Sequence, residues 1–90
     1  MRRAHIIISG SVQGVFFRAF AAKLANSYGI VGWVQNTDDG GVEVVAEGDT
    51  VALSHFTNDL KKGPEGAEIT KFEVKDEKPT GEFKNFRIRF

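Results

Sequence analysis

Residues 10–18 read Gly-Ser-Val-Gln-Gly-Val-Phe-Phe-Arg. Two glycines bracket a loop of uncharged residues, and Arg18 follows where a helical pattern begins. Small residues ahead of a helix let backbone N–H groups converge on one point. The helix start adds unpaired donors and the positive end of the peptide dipoles. Together they make a cradle for an anion, and phosphate is its usual guest. Arg18 adds a planar fork of permanent charge in the first turn. The same residues also read as a tight strand-to-helix turn with a solvated arginine. The loop is neither the nucleotide pattern GxxxxGK[ST] nor the dinucleotide pattern GxGxxG.

A second candidate is Asn36, at the end of Gly32-Trp33-Val34-Gln35-Asn36. Asparagine beside a hairpin is common as a turn former. Its amide also donates and accepts at once, so it can hold a water in a fixed direction. His5 and His55 are far apart and lack metal-ligand spacing, so both read as structural or solvated. Asp38 and Asp39 read as turn residues. Ser9 and Ser11 have no His-Asp support, and no GxSxG elbow occurs. The chain has no cysteine, which excludes a disulfide, a thiol nucleophile and a Cys-ligated metal. Metal binding is not expected.

The elements that must position Arg18 and Asn36 follow from periodicity. Ala4 to Ser9 reads as a strand, and its three isoleucines imply burial on both faces. Phe17, Phe20, Ala21, Leu24, Ala25 and Tyr28 form one apolar helical stripe, which Gly29 stops. Ile30 to Asn36 is a second strand. The Asp-Gly signal in Asp38-Asp39-Gly40-Gly41 turns it into Val42 to Glu47, with Glu43 and Glu47 opposite the apolar face. Asp49 or Thr50 caps a second helix whose apolar face is Leu53, Phe56 and Leu60, closed by Lys61-Lys62-Gly63-Pro64. Ile69, Phe72 and Val74 lie on an extended segment whose phase slips by one, the mark of a bulge. Asp76 to Glu82 is a polar loop. Phe86, Ile88 and Phe90 alternate with Arg87 and Arg89 on a last half-buried strand.

This order predicts an α+β fold of the ferredoxin-like, split βαβ plan (βαββαβ). An antiparallel sheet would carry both helices on one face, with the first and third strands central. Ninety residues make one domain, residues 1–90. Twelve basic residues balance twelve acidic ones, so no long-range pull toward nucleic acid or an anionic membrane is expected. The aromatic pattern of RNA-binding split βαβ domains is missing. Ile6-Ile7-Ile8 is too short for a signal peptide, which needs about 7–15 apolar residues, or for a membrane span of about 20. A cytoplasmic monomer is the expectation.

The chain resembles the acylphosphatases. GSVQGVFFR, then GIVGWVQNTDDGGVEVVAEG, matches G-x-V-Q-G-V-x-[FY]-R, G-x-x-G-x-[VA]-x-N and D-G-x-V-E at the usual separation, over about half the chain. Gly63-Pro64 and Phe86-Arg87-Ile88 also fit. The one departure is Thr37-Asp38-Asp39-Gly40-Gly41 where Leu-Pro-Asp-Gly is frequent, which doubles the glycine. The resemblance implies the same ferredoxin-like fold. It implies hydrolysis of the carboxyl-phosphate bond of acyl phosphates without metal or cofactor. It makes Arg18 the phosphate-binding residue and Asn36 the water-orienting one. The backbone of Gln13, Gly14, Val15, Phe16 and Phe17 is then the cradle, and inorganic phosphate is both product and inhibitor. The alternative is a module of the same fold that senses an anion without turnover, or that binds single-stranded nucleic acid on its open sheet face.

Overall fold

The first strand, β1 (Arg2–Ser11), alternates its burial as a strand with one covered face must. Ala4, Ile6 and Ile8 are buried, while Ile7 between them is half-exposed. The expectation of burial on both faces is therefore corrected. All seven elements are described by a computed structural model covering residues 1–90. They continue as α1 (Phe17–Tyr28), β2 (Val31–Asn36), β3 (Val42–Gly48), α2 (Thr50–Lys62), β4 (Glu68–Glu77) and β5 (Phe86–Arg89). Neither helix is long and apolar enough to cross a membrane.

The sheet order is β4-β1-β3-β2-β5. β1 pairs antiparallel with β3 and β4, and β2 pairs antiparallel with β3, so β1 and β3 lie inside the sheet as expected. The fifth strand departs from the antiparallel expectation, since β5 pairs parallel with β2 and the sheet is mixed. The reason is topological. β4 finishes at the end of the sheet where β2 begins. Residues 78–85 cross that end, so the chain can only run back in the direction of β2.

Local signals end the elements where the residue types require. Gly29 takes a left-handed conformation (φ 68°), and its N–H turns back to the Ala25 and Asn26 carbonyls. The Asp49 carboxylate accepts from Val51 N (3.2 Å) and Ala52 N (3.3 Å), a cap that stabilises a helix by about 1 kcal/mol. The slip in β4 is a bulge. Its pairing with β1 passes from Ser9–Lys71 to Gly10–Ile69, leaving Thr70 as the extra residue.

One core fills the space between sheet and helices. Ala21 and Ala25 of α1 let that helix sit close, and Leu53, Phe56 and Leu60 of α2 fill the other half. Phe56 meets Phe86 edge-on, with ring centres 6.1 Å apart. Each such side chain contributes roughly 1.5–3 kcal/mol by burial.

The opposite face of the sheet mixes polar and apolar residues, with Val45 buried between its sheet partners His5 and Trp33. His5 lies between Glu43 (Nε2–Oε2 2.6 Å) and Glu77 (Nδ1–Oε2 3.1 Å). Glu47 is on the same side, opposite the apolar face as its place in the strand implies, and it is fully buried there. The loop after β4 folds over it. Its carboxylate accepts from Thr80 N, the Thr80 hydroxyl and Gly81 N, each at 3.1 Å, and from Arg3 Nη1 at 3.0 Å. Burial alone would raise this carboxyl's pKa. The Thr80 N–H, Arg3, the Gly81 N–H and the Thr80 hydroxyl together outweigh burial and hold it below the ordinary value.

Candidate active site

The loop from β1 to α1 is anchored from below by Val12, which is fully buried. A glycine is required at each bracket. At Gly10 (φ 127°) a Cβ would lie 2.1 Å from the Glu68 carbonyl oxygen, so close pairing with β4 forbids a side chain. At Gly14 (φ 75°) there is open space, and the left-handed backbone is what demands glycine. Phe16 takes the same left-handed conformation (φ 59°, ψ 30°) although it carries a side chain. Such a residue costs of order 1 kcal/mol, and strain of this kind gathers at functional sites. Phe16 is also 84% exposed, so no burial of its ring offsets the strain.

Phe16 is the N-cap of α1, and its side chain cannot cap. The first turn contains no acidic residue. The leading N–H groups of α1 are thus left for a negatively charged group from outside, and nothing nearby repels it.

A cavity of about 330 Å³ opens at this helix start. Gly14, Phe16, Phe17, Arg18, Asn36 and Phe90 are among its lining residues. Arg18 and Asn36, on different elements, therefore face one space. They meet because α1 returns the chain directly to β2, whose last residue, Asn36, ends beside the loop.

Gln13 holds the two halves together. Its side-chain amide donates to the carbonyl oxygens of Thr37 (2.9 Å) and Gly41 (2.8 Å), at both ends of the turn from β2 to β3. The turn closes on itself through Thr37 N to Gly41 O (3.0 Å). The hydroxyl of Thr37 and the N–H of Gly41 hold the Asp39 carboxyl below its ordinary pKa. Asp38 and Asp39 thus lie in the turn, as their types imply. Of the expected cradle residues, Gly14, Phe16 and Phe17 line the cavity, with Arg18. Gln13 and Val15 do not. The Gln13 side chain braces the turn, and Val15 packs against the core.

Val12, Ala19, Ile88 and Phe90 also line the cavity, and the sequence reading did not place them there. Arg18 Nη1 donates to the Arg89 carbonyl (3.0 Å), and its guanidinium lies over the Phe90 ring at 4.6 Å. Strand parity put Ile88 and Phe90 on one side, which was the available signal. That this side adjoins Arg18 depends on β5 docking beside β2. His5 is on the far face of the sheet, and His55 on α2 stacks with Tyr28 at 6.0 Å, so neither imidazole lines the cavity.

Comparison with known proteins decides the lineage. The acylphosphatase family model matches residues 4–88. The chain belongs to the acylphosphatase family. An acylphosphatase of Methylococcus capsulatus is 42% identical over 88 residues, covering 98% of this chain and 96% of that protein. One of a Roseiflexus species is 47% identical over 88 residues, covering 98% and 95%. The crystal structure of acylphosphatase from Bacillus subtilis superposes with a TM-score of 0.96 at 37% identity, over 100% of both chains. The mixed sheet with its fifth strand is thus the architecture of an acylphosphatase.

Proposed function

We propose that the cavity at the start of α1 binds the phosphate of an acyl phosphate and directs a water onto it. The reaction is the family's, hydrolysis of the carboxyl-phosphate bond to a carboxylate and inorganic phosphate. The observation that carries the residue assignment is that Arg18 and Asn36 line one cavity at an uncapped helix start.

An acyl phosphate is a mixed anhydride, and its carboxylate is a good leaving group. The protein has little covalent work to do, so positioning and charge stabilisation dominate. In this reading the N–H groups of the loop and first turn hold the phosphate oxygens, and Arg18 spans two of them. The seat is the backbone of the loop from Gln13 to Phe17, of which Gly14, Phe16 and Phe17 face the cavity. The contacts to Arg89 and Phe90 hold the guanidinium in place while leaving its remaining N–H groups for the phosphate.

Asn36 fixes the direction of the attacking water. As the water oxygen bonds to phosphorus, the bond from phosphorus to the carboxylate oxygen breaks, and its electron pair leaves with the carboxylate. Neither arginine nor asparagine accepts a proton at neutral pH. No imidazole and no carboxylate side chain lines the cavity. The water's proton therefore passes to an oxygen of the substrate phosphate.

The test is hydrolysis of a simple acyl phosphate by the wild type and by Arg18→Ala. Turnover by the wild type and its loss in the variant, with the fold intact, support the assignment. An Arg18→Ala protein that keeps its turnover moves the phosphate seat elsewhere. A wild type that binds phosphate without turnover would favour the anion-sensing alternative. The reading includes a cytoplasmic monomer of one domain, to be checked by cell fractionation and sedimentation.

A further inference from the structure

On the sheet face away from the helices, at the β2–β5 edge, lies another cavity of about 250 Å³. Its lining includes Trp33, Glu82, Phe83, Lys84, Arg87 and Arg89. None of these lines the cavity that holds Arg18 and Asn36, because Arg87 and Arg89 point to the opposite side of β5 from Ile88 and Phe90.

The charges here are out of balance, although the whole chain is neutral. Lys84, Arg87 and Arg89 are exposed, and none takes part in a salt bridge. Glu82, the one acid in the lining, is already engaged by Arg3 (3.0 Å) and by the Thr80 hydroxyl (3.0 Å). Two arginines on one side of one strand repel each other unless an anion lies between them.

The flat surfaces add a second requirement. The Arg89 guanidinium lies over the Trp33 ring, 4.5 Å from its centre. One face of that ion is covered and its plane is set. Its other face and its edges are left for a ligand. Guanidinium planes stack on aromatic rings, and their edges bind phosphate oxygens in pairs.

We propose that this cavity is a second anion site, separate from the catalytic one, and that its ligand is a phosphate ester bearing a planar ring. The ring extends the stack of Trp33 and Arg89. The phosphate lies between Arg87 and Arg89, with Lys84 at the rim. A nucleoside monophosphate has this chemistry.

The experiment titrates the intact protein with adenosine monophosphate. It follows the indole N–H resonance of Trp33, the chain's single tryptophan. Saturable movement of that resonance is expected in the wild type and equally in Arg18→Ala. Adenosine alone and inorganic phosphate alone should each require at least ~10-fold more ligand, since either supplies only one of the two contacts. Arg87→Gln combined with Arg89→Gln should weaken the response by ~10-fold or more. Both side chains are exposed, so the fold is expected to survive, and the amide spectrum checks it. A flat titration overturns the proposal, as does adenosine matching the nucleotide. Loss of the response in Arg18→Ala assigns it to the catalytic cavity instead. An unchanged response in the double variant also overturns it.

Discussion

Arg18 rests on Phe90, its guanidinium carbon 4.6 Å from the centre of the ring. The arginine belongs to the first turn of α1 and the phenylalanine follows β5, so the contact exists only when both are docked. At an exposed site such a contact contributes about 0.5–1 kcal/mol, which corresponds to about 2–5-fold. Phe90→Ala should lower kcat/KM for an acyl phosphate by about that factor, with little change in Tm because the ring is exposed. Steady-state kinetics and thermal denaturation on one preparation check this. A large fall in Tm would mean that Phe90 supports the fold rather than the arginine.

Arg18→Lys should fail nearly as badly as Arg18→Ala. A lysine ammonium offers no plane to lay on Phe90 and no fork for two phosphate oxygens. Inorganic phosphate should inhibit the wild type. Retention of most of the turnover in Arg18→Lys would rule out two-point binding.

Asn36→Ala should lower turnover by ~100-fold or more, because the water-directing role proposed for Asn36 acts in the transition state. Phosphate affinity should stay nearly unchanged. Titration with inorganic phosphate distinguishes the roles, since a matching loss of affinity would put Asn36 in the anion seat.

Turnover should be nearly flat with pH wherever the substrate's own charge is constant. His5 is held between Glu43 and Glu77 on the far face, and His55 lies against Tyr28 on α2. An imidazole acting as the base would leave an inflection in the profile. The pH–rate profiles of wild type, His5→Gln and His55→Gln should coincide after correction for substrate ionisation. An inflection that disappears in either variant would install that histidine as the base.

Acid stability should depend on Glu47. Its pKa is depressed in the folded protein, so between the folded and unfolded values the unfolded chain binds more protons. The stabilisation is present above the ordinary glutamate value near ~4.3 and is lost as pH falls toward the depressed one. Glu77, held low by Arg3 and His5, acts in the same direction. Glu47→Gln should be less stable at neutral pH, because Arg3 loses its buried partner. It should also lose stability less steeply on acidification. Urea denaturation of both proteins from neutral pH down to about pH 3 measures this slope. Parallel acid limbs would exclude Glu47 as the group responsible.

Much of this arrangement was legible because its signals are local. Gly29 as a stop, Asp49 as a cap and the phase slip beside Thr70 each depend on a few adjacent residues. The nearness of Arg18 and Asn36 also follows from chain order, since β2 comes directly after α1. What escaped the sequence reading depends on partners distant along the chain. The parallel docking of β5 follows from the path of residues 78–85, and no period marks that path. The same loop buries Glu47, whose strand parity gives its face but not what covers that face. Ile7 is half-exposed against expectation because three apolar residues in a row do not tell whether a second layer covers them.

The Gln13 amide bonds to both ends of the turn that follows Asn36. A side chain clamped at two points transmits displacement. A swing of the turn is therefore expected to draw the loop carrying Gly14 and Phe16 with it. The spacing between Gly14 and Asn36 is then expected to vary less than the position of either one alone. A shorter residue at position 13 would leave each half intact while letting the gap between them wander.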